Sequence, residues 1–403
     1  MSHEVVLTPP DGAPAMHRPV IAAMLGACAV VVSTVLPSTA EEGVTPDAIL
    51  FGQSAPLEGP ASALGQGMRR GILAAFDSAN RAGGIHGRML KLISRDDAYE
   101  PDRSIIQTRK LIEEDKVFAL IGAVGTPTSK ASQPIAAAAN VPFMGPFTGA
   151  AFLRDPKVTN VINVRASYDA ETEAWVKHLT EDLKIKKIAI FYQDDAFGRA
   201  GLDGVKAAMA KRGIELAGEA TYERNTVAVK TALLTLKRAE PEAVVMVGAY
   251  TPCAEFIKLA RKISFNPVFV NISFVGASAL AKELGADGEG VIVSQVVPFP
   301  WDASLPVVAD YQAALKAEEP PAPPDFVSLE GYLVGRLATV ALEKTGADVS
   351  RDGLLAAIRT TGKFSIGGLV MTFGPDKNDG LDEVFMTVIQ ADGSFKPVQK
   401  LTM

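Results

Sequence analysis

The chain has 403 residues, enough to bury more than one core, so two domains are expected. Hydrophobic residues make up 48% and charged residues 21%, the balance of a globular protein and not of a disordered one. A net charge of -6 offers no basic surface for nucleic acid.

The N-terminus has the pattern of an export signal. His17 and Arg18 precede an apolar run from Pro19 to Leu36, and Ser38 and Ala40 hold the small positions of a cleavage site. Residues 1–40 therefore read as a secretory signal peptide cut after Ala40, with Met16 as an alternative start. The run approaches spanning length, so a retained membrane anchor competes with cleavage. The "LGAC" that ends at Cys28 is a weaker lipoprotein pattern. Cleavage leaves Cys253 as the one cysteine, with His86 and His178 as the histidines. No intramolecular disulfide is then available, and stability has to come from core burial.

After Ala40 strand and helix patterns alternate. "AILFGQ" from Ala48 predicts a strand, Leu64 to Ala82 a helix, "MLKLISRDD" a strand and Pro101 to Asp115 a helix. "VFALIGA" is a strand, Thr126 to Asn140 a helix, and "VPFMGPF" a strand. Pro101 and Pro127 suit the first turn of a helix. The alternation restarts after "NVINVRAS": helix Ala170 to Leu183, strand "KIAIFYQ", helix Phe197 to Arg212 and strand "IELAGEATY". Helix Val227 to Ala239, strand "AVVMVGAY", helix Pro252 to Lys262 and strand "PVFVN" follow. Two such blocks predict an α/β fold with two parallel sheets, each flanked by helices. Further on, "AEEPPAPPDF" is a Pro-rich loop, Leu329 to Lys344 a long helix, and "GGLVMTF" with "EVFMTVIQ" an antiparallel pair.

Open parallel sheets bind ligands beyond the carboxyl ends of their strands. The turns in that position are "SAPLEGP", "DDAYEP", "GTPTS", "GPFTGA", "QDDAFG", "GAYTPC" and "NISFVG". "GTPTS" offers backbone N–H groups and hydroxyls to an anion at a helix N-terminus. No G-x-S-x-G, H-E-x-x-H or Walker A pattern occurs, so neither enzyme chemistry nor a metal or cofactor site is expected. The pairs Asp96-Asp97 and Asp194-Asp195 read as helix-start carboxylates before they read as an acid/base set. His86 and His178 read as surface or half-buried residues, and Cys253 as a packed small apolar one. The glycines of "GQGMRRG" read as a place where a helix packs closely on a sheet. Phe147, Tyr168, Phe197 and Tyr250 fall on one rim, where aromatic side chains make pocket walls.

These segments together resemble the periplasmic solute-binding proteins of branched-chain amino acid ABC transporters, the leucine/isoleucine/valine-binding protein family. The resemblance runs from about Ile49 to about Gln390 and is strongest in "NRAGGIHGRMLKLISRDD", "PDRSIIQTRKLI", "ALIGAVGTPTS", "KIAIFYQDDAFGRAG" and "VVMVGAY". The later "EGYLVGRLA" and "GGLVMTFGPD" fit the family's C-terminal helix and hairpin. It implies a type I periplasmic-binding fold of two lobes joined by three crossover strands. Residues 41–166 with 296–373 would form lobe 1, and 167–295 with 374–403 lobe 2. Hinges would lie near Ala166-Ser167, Ser294-Gln295 and Phe373-Gly374, closing the lobes on a ligand. The implied ligand contacts are Thr126, Thr128, Phe147, Thr148 and Gly149 from the first lobe, Tyr168 at the crossover, and Phe197, Tyr250 and Ser273 from the second.

The resemblance also implies a small-molecule ligand, an inner-membrane ABC permease as partner, a periplasmic location, and a monomer. At the position of Ser273 the family's amino-acid binders place an acidic residue, and the neighbouring sequence holds none. An ammonium group would need Asp169, Asp194 or Asp195 instead, so a carboxylate or small amide is expected over an α-amino acid. Tyr99 and Gly125 stand where some members have cysteines. A soluble sensor presenting its ligand to a signalling receptor is the alternative function, and an exported hydrolase using the carboxylates is a third.

Overall fold

A computed structural model describes residues 6–7 and 41–402, so the expected signal peptide lies outside the described residues apart from Val6 and Leu7. The short apolar runs become strands, most of them covered on both faces, as parallel sheets require. In the first lobe they are β1 (Ala48–Ala55), β2 (Met89–Asp96), β3 (Ala119–Ile121), β4 (Phe143–Met144) and β5 (Val161–Ile162). They pair in parallel in the order β2-β1-β3-β4-β5. The connecting helices are α1 (Ser62–Arg81), α2 (Pro101–Arg109) and α3 (Thr126–Ala138). The expected helix over 101–115 changes pitch at Lys110, where a π-helical turn runs to Glu114.

The second lobe begins with α4 (Tyr168–Glu181), whose N-cap Ser167 accepts the Ala170 N–H. Then come β6 (Ile188–Gln193), α5 (Ala196–Ala210), β7 (Gly218–Tyr222), α6 (Lys230–Arg238), β8 (Ala243–Val247) and α7 (Tyr250–Lys262). β9 (Val268–Asn271), α8 (Ala277–Leu284) and β10 (Ile292–Gln295) complete this run. The strand expected over "AVVMVGAY" stops at Val247, and Tyr250 instead opens α7.

The chain then returns to the first lobe as α9 (Pro306–Lys316), α10 (Phe326–Glu343) and α11 (Arg351–Thr361). α10 lies backbone to backbone on α1, because both helices carry glycines at the contact. A Cβ on Gly71 would stand 1.9 Å from the Ser328 carbonyl oxygen, and one on Gly331 would stand 2.3 Å from that of Met68. Of the glycines of "GQGMRRG", Gly67 and Gly71 therefore fit α1 to α10, while Gly65 lies against the Pro56 backbone at the end of β1.

The hairpin of β11 (Lys363–Ile366) and β12 (Leu369–Thr372) stands apart, and β13 (Phe385–Ile389) with β14 (Phe395–Val398) joins the second sheet. That sheet runs β14-β13-β10-β9-β8-β6-β7, with β13 antiparallel to both β10 and β14. The antiparallel pair expected between "GGLVMTF" and "EVFMTVIQ" is corrected here: each finds a different partner, β12 on β11 and β13 on β10 and β14.

The chain crosses between the sheets at 163–167, 296–305 and 373–384. The first and third crossings run side by side. Asn163 N–H donates to Asn378 O at 2.7 Å, and Gly380 N–H returns to Asn163 O at 3.0 Å. Among the described residues no helix is long and apolar enough to cross a membrane.

Candidate functional site

The carboxyl ends of both sheets face one cleft. On the first lobe the turns "GTPTS" and "GPFTGA" lie together, because Phe147 N–H donates to Ala123 O at 2.7 Å and Gly125 N–H to Phe147 O at 3.2 Å. This brings the Thr126 and Thr148 hydroxyls to 2.7 Å from each other. Gly125 is the N-cap of α3, with φ +104°, and it supplies no side-chain cap. A Cβ there would stand 2.3 Å from the Tyr99 ring, so the position requires glycine. The first N–H groups of α3 thus have no side chain of their own to satisfy them. The Thr128 hydroxyl turns back to the backbone, at Gly125 O (3.1 Å) and Val124 O.

Tyr168 closes over these turns. Its N–H donates to Gly149 O at 2.8 Å, and a Cβ on Gly149 would strike the Tyr168 ring at 2.5 Å. The Tyr168 hydroxyl is buried and makes no well-formed hydrogen bond, although the Thr126 and Thr148 hydroxyls lie beside it. Burial raises its pKa, with Arg165 and those hydroxyls opposing. Phe197 packs on it with ring centres 5.6 Å apart. Tyr250 serves a different contact, since its hydroxyl accepts the Ala63 N–H of α1 at 3.3 Å. Outward from Thr126 and Tyr168 a cavity of about 590 Å³ opens between the lobes, lined also by Lys130, Asp169, Arg199 and Asp203. A larger hollow of about 840 Å³, walled by Phe299, Trp301 and Phe395, contains none of the nine expected residues.

Ser273 has a carboxylate beside it after all. Its N–H donates to one oxygen of Glu171 at 2.9 Å and its hydroxyl to the other at 2.8 Å, and Ser294 donates a further bond. Arg165 also bonds the Ser273 hydroxyl, and lies 3.6 Å from Glu171 and 3.6 Å from Glu330. All of these groups are buried. Burial pushes Glu330 up to about 7 against the pull of Arg165, whereas Arg154, held on the Ala150 and Arg165 carbonyls, is pushed down to about 10. For Arg165 burial is outweighed by Glu330 and Glu171, and its pKa rises.

The lobes also meet through paired side chains at the rim. Glu100 accepts from Arg224 at 2.8 Å and from Asn225 at 2.7 Å, Asn225 donates to Ala98 O, and Gln193 donates to the Tyr99 hydroxyl at 3.3 Å. The acidic pairs are all engaged. Asp97 accepts from Ser54, Ser104 and Tyr99 N–H; Asp96 holds Arg103; Asp194 holds Arg199; Asp195 caps α5 and binds Arg224. Cys253 is buried against Tyr222, and burial pushes its thiol up, away from reactivity.

With this cleft described, comparison with known proteins is decisive. Residues 48–394 match the model of the family described as periplasmic binding protein. The chain belongs to that family. This periplasmic binding protein is similar to a solved structure of a possible leucine/isoleucine/valine-binding protein from Rhodopirellula baltica. The two are 41% identical, with a TM-score of 0.84, covering 90% of this chain and 98% of that one. An extracellular ligand-binding receptor from Verminephrobacter eiseniae is 30% identical, with a TM-score of 0.80 over 87% of this chain and 99% of that one. The Leu/Ile/Val-binding protein BraC3 of Rhizobium johnstonii is 27% identical over 77% of this chain and 83% of its own length. The two-lobed α/β architecture is the type I periplasmic-binding fold of these neighbours.

In this binding protein Thr126, Phe147, Thr148, Gly149, Tyr168 and Phe197 gather in one place, Ser273 joins through Arg165, and Tyr250 sits at the α1 contact. Sequence reasoning missed Glu171, Arg165, Glu330 and Phe274. Glu171 replaces Asp169, Asp194 and Asp195 as the carboxylate nearest Ser273. It lies in the first turn of α4, where an acid is ordinarily read as complementing the helix dipole.

Proposed function

We propose that this protein captures a small organic carboxylate without an amine in the interlobe cleft and delivers it to an inner-membrane ABC permease. One observation carries the reading: the α3 N-terminus is uncapped beside the Thr126, Thr148 and Tyr168 hydroxyls, while Glu171 is already occupied. A ligand carboxylate gains hydrogen bonds and a favourable helix end at the first place. A ligand ammonium finds no free acid at the second, because Ser273, Ser294 and Arg165 all engage Glu171. Burying an unpaired ammonium costs several kcal/mol, more than the roughly 1.5–3 kcal/mol gained by burying a leucine-sized side chain. The names of the Rhodopirellula baltica and Rhizobium johnstonii relatives specify leucine, isoleucine and valine. The occupied Glu171 is the reason for reading this chain differently.

Calorimetry of leucine against 4-methylpentanoate, and of phenylalanine against 3-phenylpropionate, tests the choice. The acid of each pair is expected to bind more tightly. Binding of both amino acids with neither acid would overturn it. Delivery is tested by uptake of the labelled acid, which should disappear when the gene is deleted and return with the intact protein. Export predicts that periplasmic material begins at Glu41, as N-terminal sequencing would read.

A further inference from the structure

The inner end of the cleft is full. Phe274 is buried there, with its ring centre 4.5 Å from Phe197 and 5.2 Å from Phe147, and the Arg165 guanidinium covers the Phe147 ring at 4.7 Å. The space that borders Thr126 and Tyr168 is the cavity of about 590 Å³ on the outward side. Its apolar walls are made of short side chains. Ala150 and Ala151 come from the first lobe, beside Phe152, and Ala196 and Ala200 come from α5 of the second. Ala196 and Ala200 stand four positions apart on the helix and so share a face. The charged residues of the lining, Lys130, Asp169, Arg199 and Asp203, are all exposed, whereas Ala196 and Ala200 are half-buried.

Both walls are held in place. α5 is pressed onto the second sheet, where a Cβ on Gly198 would stand 1.9 Å from Gln193 O and one on Gly201 would stand 2.5 Å from the Val247 side chain. Its first turn is capped by Asp195, which accepts the Phe197 N–H at 2.9 Å and also holds Arg224. Opposite, Arg154 donates to Ala150 O at 3.0 Å and to Arg165 O at 2.9 Å, which fixes the turn that carries Ala151 and Phe152. The room between the walls is therefore set by side-chain size at these alanines.

We propose that Ala200 is a specificity-determining residue, whose short side chain keeps this cavity open for a carboxylate with a bulky apolar body. The inference rests on the carboxylate reading above. An acid anchored at Thr126 and the α3 N-terminus finds its open space outward, past Tyr168. Its body then lies between Phe152 and the Ala196–Ala200 face, where apolar surface is removed from water. A propionate-sized acid leaves most of that space unfilled, whereas a phenylalkyl chain reaches both walls. Ala200→Leu puts an isobutyl group in place of a methyl and takes room from the body, without touching the hydroxyls that hold the carboxylate.

The test is calorimetry of the full mature chain with propionate and 4-phenylbutyrate, on wild type, Ala200→Leu and Ala200→Ser. Wild type should prefer 4-phenylbutyrate to propionate by about tenfold or more, the scale on which an apolar pocket discriminates. Ala200→Leu should cut that ratio by a similar factor, and Ala200→Ser, which stays small, should keep it. Leucine is a good helix former, so α5 should tolerate it; should circular dichroism show a misfolded variant, the ratio in Ala200→Val decides. The same ratio in wild type and a folded, larger variant overturns the role of Ala200 while leaving the carboxylate site standing. A wild-type ratio near one overturns the bulky ligand class. Binding of leucine with neither acid overturns the underlying reading, and the proposal with it.

Discussion

The buried charges around Arg165 make stability depend on pH in a direction that can be worked out. Glu330 is buried in α10, facing Arg165 at 3.6 Å with Glu171 and Arg154 nearby. Burial raises its folded-state pKa from 4.5 to about 7. The folded protein therefore holds a proton that the unfolded chain releases between those two values. For a raised pKa the contribution is complete below the unfolded pKa and lost as pH climbs through the folded one. At 1.36 kcal/mol per pKa unit the whole effect is about 3 kcal/mol, most of it falling between pH 5 and pH 8. Glu330→Gln keeps the shape and abolishes the titration. Urea denaturation of both proteins across that range should show wild type losing about 2–3 kcal/mol relative to the variant as pH rises. Taking the difference cancels the groups the two proteins share. Parallel stability curves would refute the assignment of a neutral Glu330 to the folded state.

Three further outcomes follow from particular contacts. Thr126→Val and Thr148→Val should each weaken the bound acid by about 0.5–1.5 kcal/mol for a neutral bond, or about 1.5–3 kcal/mol where the lost bond reached a charged oxygen; undiminished affinity in both, by calorimetry, removes these turns from the site. Glu100→Ala cuts the bonds to Arg224 and Asn225 that join the lobes, so the ligand-free protein should open and its radius of gyration by small-angle scattering should rise. An unchanged radius would show that the rim contacts do not hold the closed arrangement. Gly71→Ala drives a methyl into the Ser328 carbonyl, and overpacking of this kind costs about 1–3 kcal/mol, readable as a lower Tm.

The alternation of elements was legible because strands covered on both faces must be short apolar runs, and "AVVMV" or "IAIF" has no other economical reading. The hydroxyl turns were legible for a related reason, since each lies between such a run and the next helix. Partnership was not. β13 could be read as a strand, but its neighbour β10 is an element the sequence reading did not mark, and antiparallel pairing leaves no local trace of which strand it joins. α9 and α11 were passed over, the first just before the Pro-rich loop and the second after the long helix α10. Glu171 meets Ser273 across 102 positions, and no spacing rule reports such a contact. Phe274 was quoted only as part of a turn, because its burial depends on Phe147 and Tyr99 arriving from the other lobe.

The helix pair and the sheet edge also constrain how the chain can mature. α1 cannot cover its glycine face until α10 exists, and β10 has a bare edge until β13 arrives from residues 385–389. Neither lobe can finish before the last part of the polypeptide is available. Residues 41–380 released alone would keep β10 on β9 but present its other edge bare, ready to join another copy. During synthesis from the N-terminus both lobes therefore stay incomplete, with the glycine face of α1 and one edge of β10 uncovered, until residues 326–389 have emerged.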